Sequence, residues 1–179
     1  MIKQREKTTP RWDARTHVRR AICQQAKKLE QEGRIDITKK FSQHGDCSVF
    51  EHCANVAYVS CMLFRQMHVD ADWDELIRGS LLHDYFLYDW HTSPKEHRPH
   101  GFTHARTALK NARRDFSVNM LEAEMIYCHM FPMNILRLPM HRESMILCIA
   151  DKIVSTKETL EGGKRLIQRT GGVLIGAVH

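Results

Sequence analysis

The stretch LIRGSLLHDYFLYDW, residues 76–90, sets an imidazole and a carboxylate side by side in the middle of an apolar run. Leu81, Leu82, Tyr85, Phe86 and Leu87 surround His83 and Asp84. Burying such groups costs several kcal/mol or more unless their charge is compensated. A chain that folds around this stretch must therefore bring compensation from elsewhere.

The surrounding pattern is helical, and strand signals are scarce. Val18, Ala21, Ile22, Ala26 and Leu29 recur at three- and four-residue spacing and predict an amphipathic helix over 14–31, stopped by Gly33. Ser48 answered by Glu51 is a capping box that opens a helix to about Met67. DWDE at 72–75 opens a helix through about residue 86, and a further helix is expected over 101–115. NMLE at 119–122 starts another that runs to about Met130, and a long helix covers Arg142 to Leu160. Residues 89–100 hold two prolines and read as a loop, while Pro132 and Pro139 break the connector 131–139. The expected fold class is all-α.

Placed on those helices, four polar residues point inward. His52 shares a stripe with Val56, Val59 and Leu63, and Asp151 shares a face with Leu147 and Val154. His83 and Asp84 lie about 100° apart around a helix axis, so neither escapes the apolar surroundings. Gly79 and Ser80, one turn earlier, leave room beside them for something other than a side chain. A divalent metal resolves the energetics, since it replaces lost hydration and neutralises the carboxylates. Imidazole nitrogens with carboxylate oxygens suit Fe, Mn, Co, Ni or Zn better than Ca, with Mg a further candidate.

Charge is uneven along the chain. Residues 1–40 carry 12 Lys/Arg against 5 Asp/Glu, whereas the other 139 carry 15 against 16. With only Trp12 among them, these residues present no aromatic stacking platform, so nucleic-acid binding is expected to be absent or weak. The segment 1–40 is expected to be a basic helical piece packed on a main domain over 41–162, followed by a Gly-rich tail, 163–179. The six cysteines form no C-x-x-C pair and read as reduced core residues. No stretch of 18 apolar residues and no secretory signal is visible, so a cytoplasmic protein without membrane contact is expected.

The order His52, His83-Asp84, Asp151 resembles the HD-domain superfamily of metal-dependent phosphohydrolases. LLHDYF is similar to that family's LLHDIG-type segment, and CIADKIVST to its closing ADKI segment. The resemblance spans roughly residues 48–160 and implies a compact helical bundle with the metal between helices. Many members follow HD with Gly and Lys; here HDYFLYDW stands instead, leaving Asp89 or His91 as candidates for part of that role.

HGFTHARTAL, residues 100–109, resembles a stretch of the binuclear members, with His104 where they carry glycine. The resemblance implies two ions, with His100 and His129 as further ligands and Asp84 as the bridge. Asp84, Asp89 and His104 are the candidate catalytic residues. Lys95, Arg98, Arg106 and Lys110 are candidates for substrate phosphate, while His91 and His97 read as solvated loop residues. The implied activity is attack of a metal-activated water on a small phosphate ester of the nucleotide or dinucleotide class. Two alternatives stand beside it: an HD-type di-iron oxygenase, separated by the redox state of the metal, and a basic helical nucleic-acid-binding module with a structural metal, separated by steep salt dependence.

Overall fold

The computed structural model describes residues 11–44, 47–89 and 100–160. Among these, α1 runs Arg11–Glu32, α2 Val49–Met67, α3 Trp73–Leu82, α4 His100–Asp115, α5 Met120–Cys128 and α6 Arg142–Leu160. The class is all-α. Two short elements escaped the sequence pattern: a 3-10 helix at Ile35–Lys40 and an antiparallel hairpin of β1, Ser42–His44, with β2, Cys47–Ser48. Five residues of strand carry too little periodicity to be seen.

Capping chemistry sets the helix starts. The Ser48 hydroxyl accepts from the Glu51 backbone N–H at 3.3 Å, and the Glu51 carboxylate accepts from Ser48 N–H at 3.1 Å. Asn119 and Glu122 reproduce this box before α5. Asp72 caps α3 by accepting from Glu75 N–H at 3.1 Å. Each cap satisfies helix-end donors that would otherwise be unpaired.

α2 is the axial helix, buried along most of its length and packed against both α3 and α6. α1 covers α2 and α3 through Val18, Ile22, Ala26 and Leu29, while Arg15, Arg20, Lys27 and Lys28 face outward. Each of the larger aliphatic side chains stabilises the docking by ~1.5–3 kcal/mol. Arg78 then clamps α1 to α3, reaching Glu32 at 2.8 Å and the buried Glu122 at 2.9 Å. All six cysteines are free, five of them buried. None of the described helices is long and apolar enough to cross a membrane.

Candidate metal centre

α3 ends at Leu82, one turn before the predicted residue 86. His83 Nδ1–H donates to the Ser80 carbonyl at 2.7 Å, taking the acceptor that the next helical N–H would have used. α5 ends the same way: His129 follows Cys128 and donates from Nδ1 to the Ile126 carbonyl at 2.8 Å, so the helix predicted to reach Met130 stops early. A carbonyl can only accept, so both rings carry hydrogen on Nδ1 and turn Nε2 the other way. Two helix ends thus aim two imidazoles into one space.

His52, on α2, meets them there. Its Nε2 lies 3.2 Å from Asp151 Oδ1 and 3.8 Å from Asp84 Oδ2. His83 Nε2 lies 3.6 Å from Asp84 Oδ2 and 3.8 Å from Asp151 Oδ1. On its other side, His52 Nδ1 donates to Glu158 Oε2 at 2.8 Å. Burial alone would pull the His52 pKa down, but hydrogen bonds to Asp151 and Glu158 outweigh it and raise it to about 10. His83 goes the other way: burial lowers it to about 4, so it is neutral. Asp151 is held below the usual carboxylate range against burial, by His52, His83 and Lys152.

A second group forms on the other oxygen of Asp84. His104 Nε2 and His129 Nε2 lie 3.3 and 3.4 Å from Asp84 Oδ1, and 2.8 Å from each other. Burial opposes ionisation of Asp84, but His83, His104 and His129 keep its pKa well below the ordinary value. α4 delivers His104 because Asn111, two turns further along the same face, donates to the carbonyls of Tyr85 and Phe86 at 3.2 and 2.9 Å. That bond pair fastens α4 to the chain just after Asp84.

The structure brings His52, His83, Asp84, His104, His129 and Asp151 together, all of them buried. Arg106 and Lys110 it does not bring: they stand on the exposed face of α4, roughly 200° and 240° around the axis from His104. Asp89 is half-buried in the segment after α3. His91, Lys95, His97 and Arg98 lie outside the described residues, as does the side chain of His100, whose backbone opens α4. The room expected beside Gly79 is filled by Met125, whose sulfur lies 2.7 Å from where a Cβ would stand. Glycine there admits a thioether, not a ligand.

Four partners escaped the sequence reading. Glu158 takes His52, Asn55 Nδ2 at 3.0 Å and Cys47 Sγ at 3.5 Å. Its position two turns after Asp151, on the buried face, was a usable signal. Gln43, from the hairpin, donates to Asp84 Oδ2 at 2.7 Å. Lys152 donates to Asp151 Oδ2 at 2.8 Å and to the His129 carbonyl at 2.9 Å, and Ser155 donates to Asp151 Oδ1 at 3.1 Å.

The donor set fits a divalent transition metal. His83 Nε2 is fully buried and has no hydrogen-bond partner among the described residues, while the carboxylate oxygens of Asp84 and Asp151 face it. An acceptor facing acceptors is stabilised by a cation between them. Ligand atoms of His52, His83 and Asp151 lie within 4.8 Å of one another, as do those of His83, Asp84 and His129. Imidazole and carboxylate in this ratio favour Fe, Mn, Co, Ni or Zn. Comparison with known proteins gives one family match: the profile of the HD domain covers residues 49–155, more than half of the chain. No curated protein and no solved structure matches.

Proposed function

The chain belongs to the HD domain family, and on that premise we propose that it is a metal-dependent phosphohydrolase acting on a small phosphate ester, of the nucleotide or dinucleotide class. The observation that carries this reading is the neutral, buried His83 Nε2 set among His52, Asp84 and Asp151. His52, His83, Asp84 and Asp151 would hold one ion, and Asp84, His104 and His129, with His100 as a further ligand, a second. Bound there, such ions act as Lewis acids and bring the pKa of water toward neutrality.

The protein's own groups do the rest. Asp84 is oriented by Gln43 and faces both halves of the cluster, so its two oxygens set their spacing. Glu158 and the Ser80 and Ile126 carbonyls fix the orientation of three imidazoles. Lys152 is partly exposed beside Asp151 and supplies a cation for phosphoryl oxygens. Asp89, half-buried in the segment after α3, is the candidate to hold a proton at the leaving group. No side-chain nucleophile is needed.

The test is phosphate release from mononucleotides, dinucleotides and simple phosphomonoesters with Mn, Co, Ni or Mg. Activity lost on chelation and restored by metal is expected. A protein that binds metal yet hydrolyses none of these would overturn the reading.

A further inference from the structure

Helix α6 is apolar on two sides. Its inner face packs through Leu147, Ala150 and Val154. Its outer face presents Met145, Ile149, Ile153, Thr156 and Leu160, a line at four-, four-, three- and four-residue steps, flanked by the half-buried Lys152 and Lys157. The outer face of α4 is the contrast, with Arg106, Lys110, Arg113 and Arg114. A helix that is hydrophobic all round is normally covered all round.

The preceding segment is exposed and apolar too. Nine of the twelve exposed large hydrophobic residues among those described fall between 133 and 160, five of them from Met133 to Met140. These are not loosely held. Glu124 accepts from the backbone N–H groups of Met140 and His141 at 2.8 and 2.9 Å, Cys128 Sγ donates to the Leu138 carbonyl, and Arg137 stacks on Tyr127. Met145 N–H donates to the His141 carbonyl at 3.0 Å, which ties the segment to the first turn of α6. The backbone is anchored while the apolar side chains face out.

We propose that this face of α6, with the segment before it, is the contact between two copies of the chain in a two-fold dimer. The area is of the right size. At on the order of 100 Å² of apolar surface per fully exposed side chain, the nine residues present roughly 600 Å². A standard interface takes about 800 Å² from each partner, some 60% of it apolar. The pattern also suits a second copy. A two-fold contact sets a surface against itself, and the central Met145, Ile149 and Ile153 bring no like charges together when it does so. Residues at four-residue spacing form the ridge that packs into the same ridge of an identical helix. The inference stands apart from the proposed hydrolysis, because none of these side chains belongs to the metal cluster.

Light scattering after size exclusion, on the full chain at micromolar concentration, should return twice the monomer mass of 20.9 kDa. Ile149→Glu should return the monomer mass with unchanged helical circular dichroism and unchanged metal content. Should that variant fail to fold, Ile149→Cys and Ile153→Cys keep the question open, since mild oxidation should link copies through the new thiol. A wild-type monomer overturns the proposal, whether the face is then covered by residues 161–179 or by a different protein. So does a dimer that survives Ile149→Glu, or one in which neither cysteine cross-links.

Discussion

The two halves of the metal cluster share Asp84 but are built differently. In the half formed by His52, His83 and Asp151, each group is braced from behind, by Glu158, by the Ser80 carbonyl, and by Lys152 with Ser155. Its central acceptor, His83 Nε2, has no hydrogen-bond partner among the described residues. In the other half the Nε2 atoms of His104 and His129 lie 2.8 Å apart. The Ile126 carbonyl holds His129 by Nδ1, which keeps its Nε2 turned toward His104. A cation entering the first half displaces the His52 Nε2 proton but gains the buried His83 Nε2; one entering the second must part His104 from His129. An ion should therefore bind the first half tightly and the second more weakly, and the order of filling follows from hydrogen bonds rather than from ligand type.

The largest effect is expected where the halves join. Asp84→Ala should reduce bound metal to background, abolish hydrolysis, and remove the rise in melting temperature that metal confers, because binding is linked to folding. Elemental analysis with a thermal scan reads both, and full metal content in that variant would break the scheme. Next, under saturating Mn the wild type should take two ions per chain and His104→Ala one. Equal stoichiometry in the two proteins would show that the second half does not depend on this residue.

Glu158→Ala sharpens the comparison from the other side. Removing the acceptor behind His52 should weaken the tighter site by about 10–100-fold, measured by chelator competition. Glu158→Gln should lose less, since an amide oxygen still accepts the Nδ1–H.

The smallest effect is on pH dependence without metal. His52 has its folded pKa raised to about 10, against about 6.5 when unfolded. Its contribution is therefore complete below about pH 6.5 and is lost as pH rises through the folded value. Denaturant titration of the metal-free protein across that window should show stability declining, with a shallower decline in Glu158→Gln. At neutral pH an ion at Nε2 must displace the proton, so metal affinity should rise with pH.

Much of this site could be read before the fold was known, for a local reason. Helical geometry fixes the direction of a side chain relative to its neighbours three and four residues away, so His52 and Asp151 were bound to share the direction of Val56 and Val154. Caps are local too: Ser48 with Glu51, Asp72, and Asn119 with Glu122 open their helices where the sequence places them. Helix ends were less legible. His83 and His129 stop their helices with a side-chain bond to a carbonyl three residues back, and an imidazole commits to that bond only when its other nitrogen has a place to point.

What the sequence determined by itself was the all-α class, the helix starts and the inward face of the histidines and aspartates, because all three depend on contacts within a few residues. Only the tertiary structure decided that Gln43 meets Asp84, that Glu158 stands behind His52, that His104 pairs with His129, and that Arg106 and Lys110 turn away. Those outcomes depend on how helices remote in sequence pack and on the path of the segments between them. Such distances are set by the whole core at once, and no short stretch of residues encodes them.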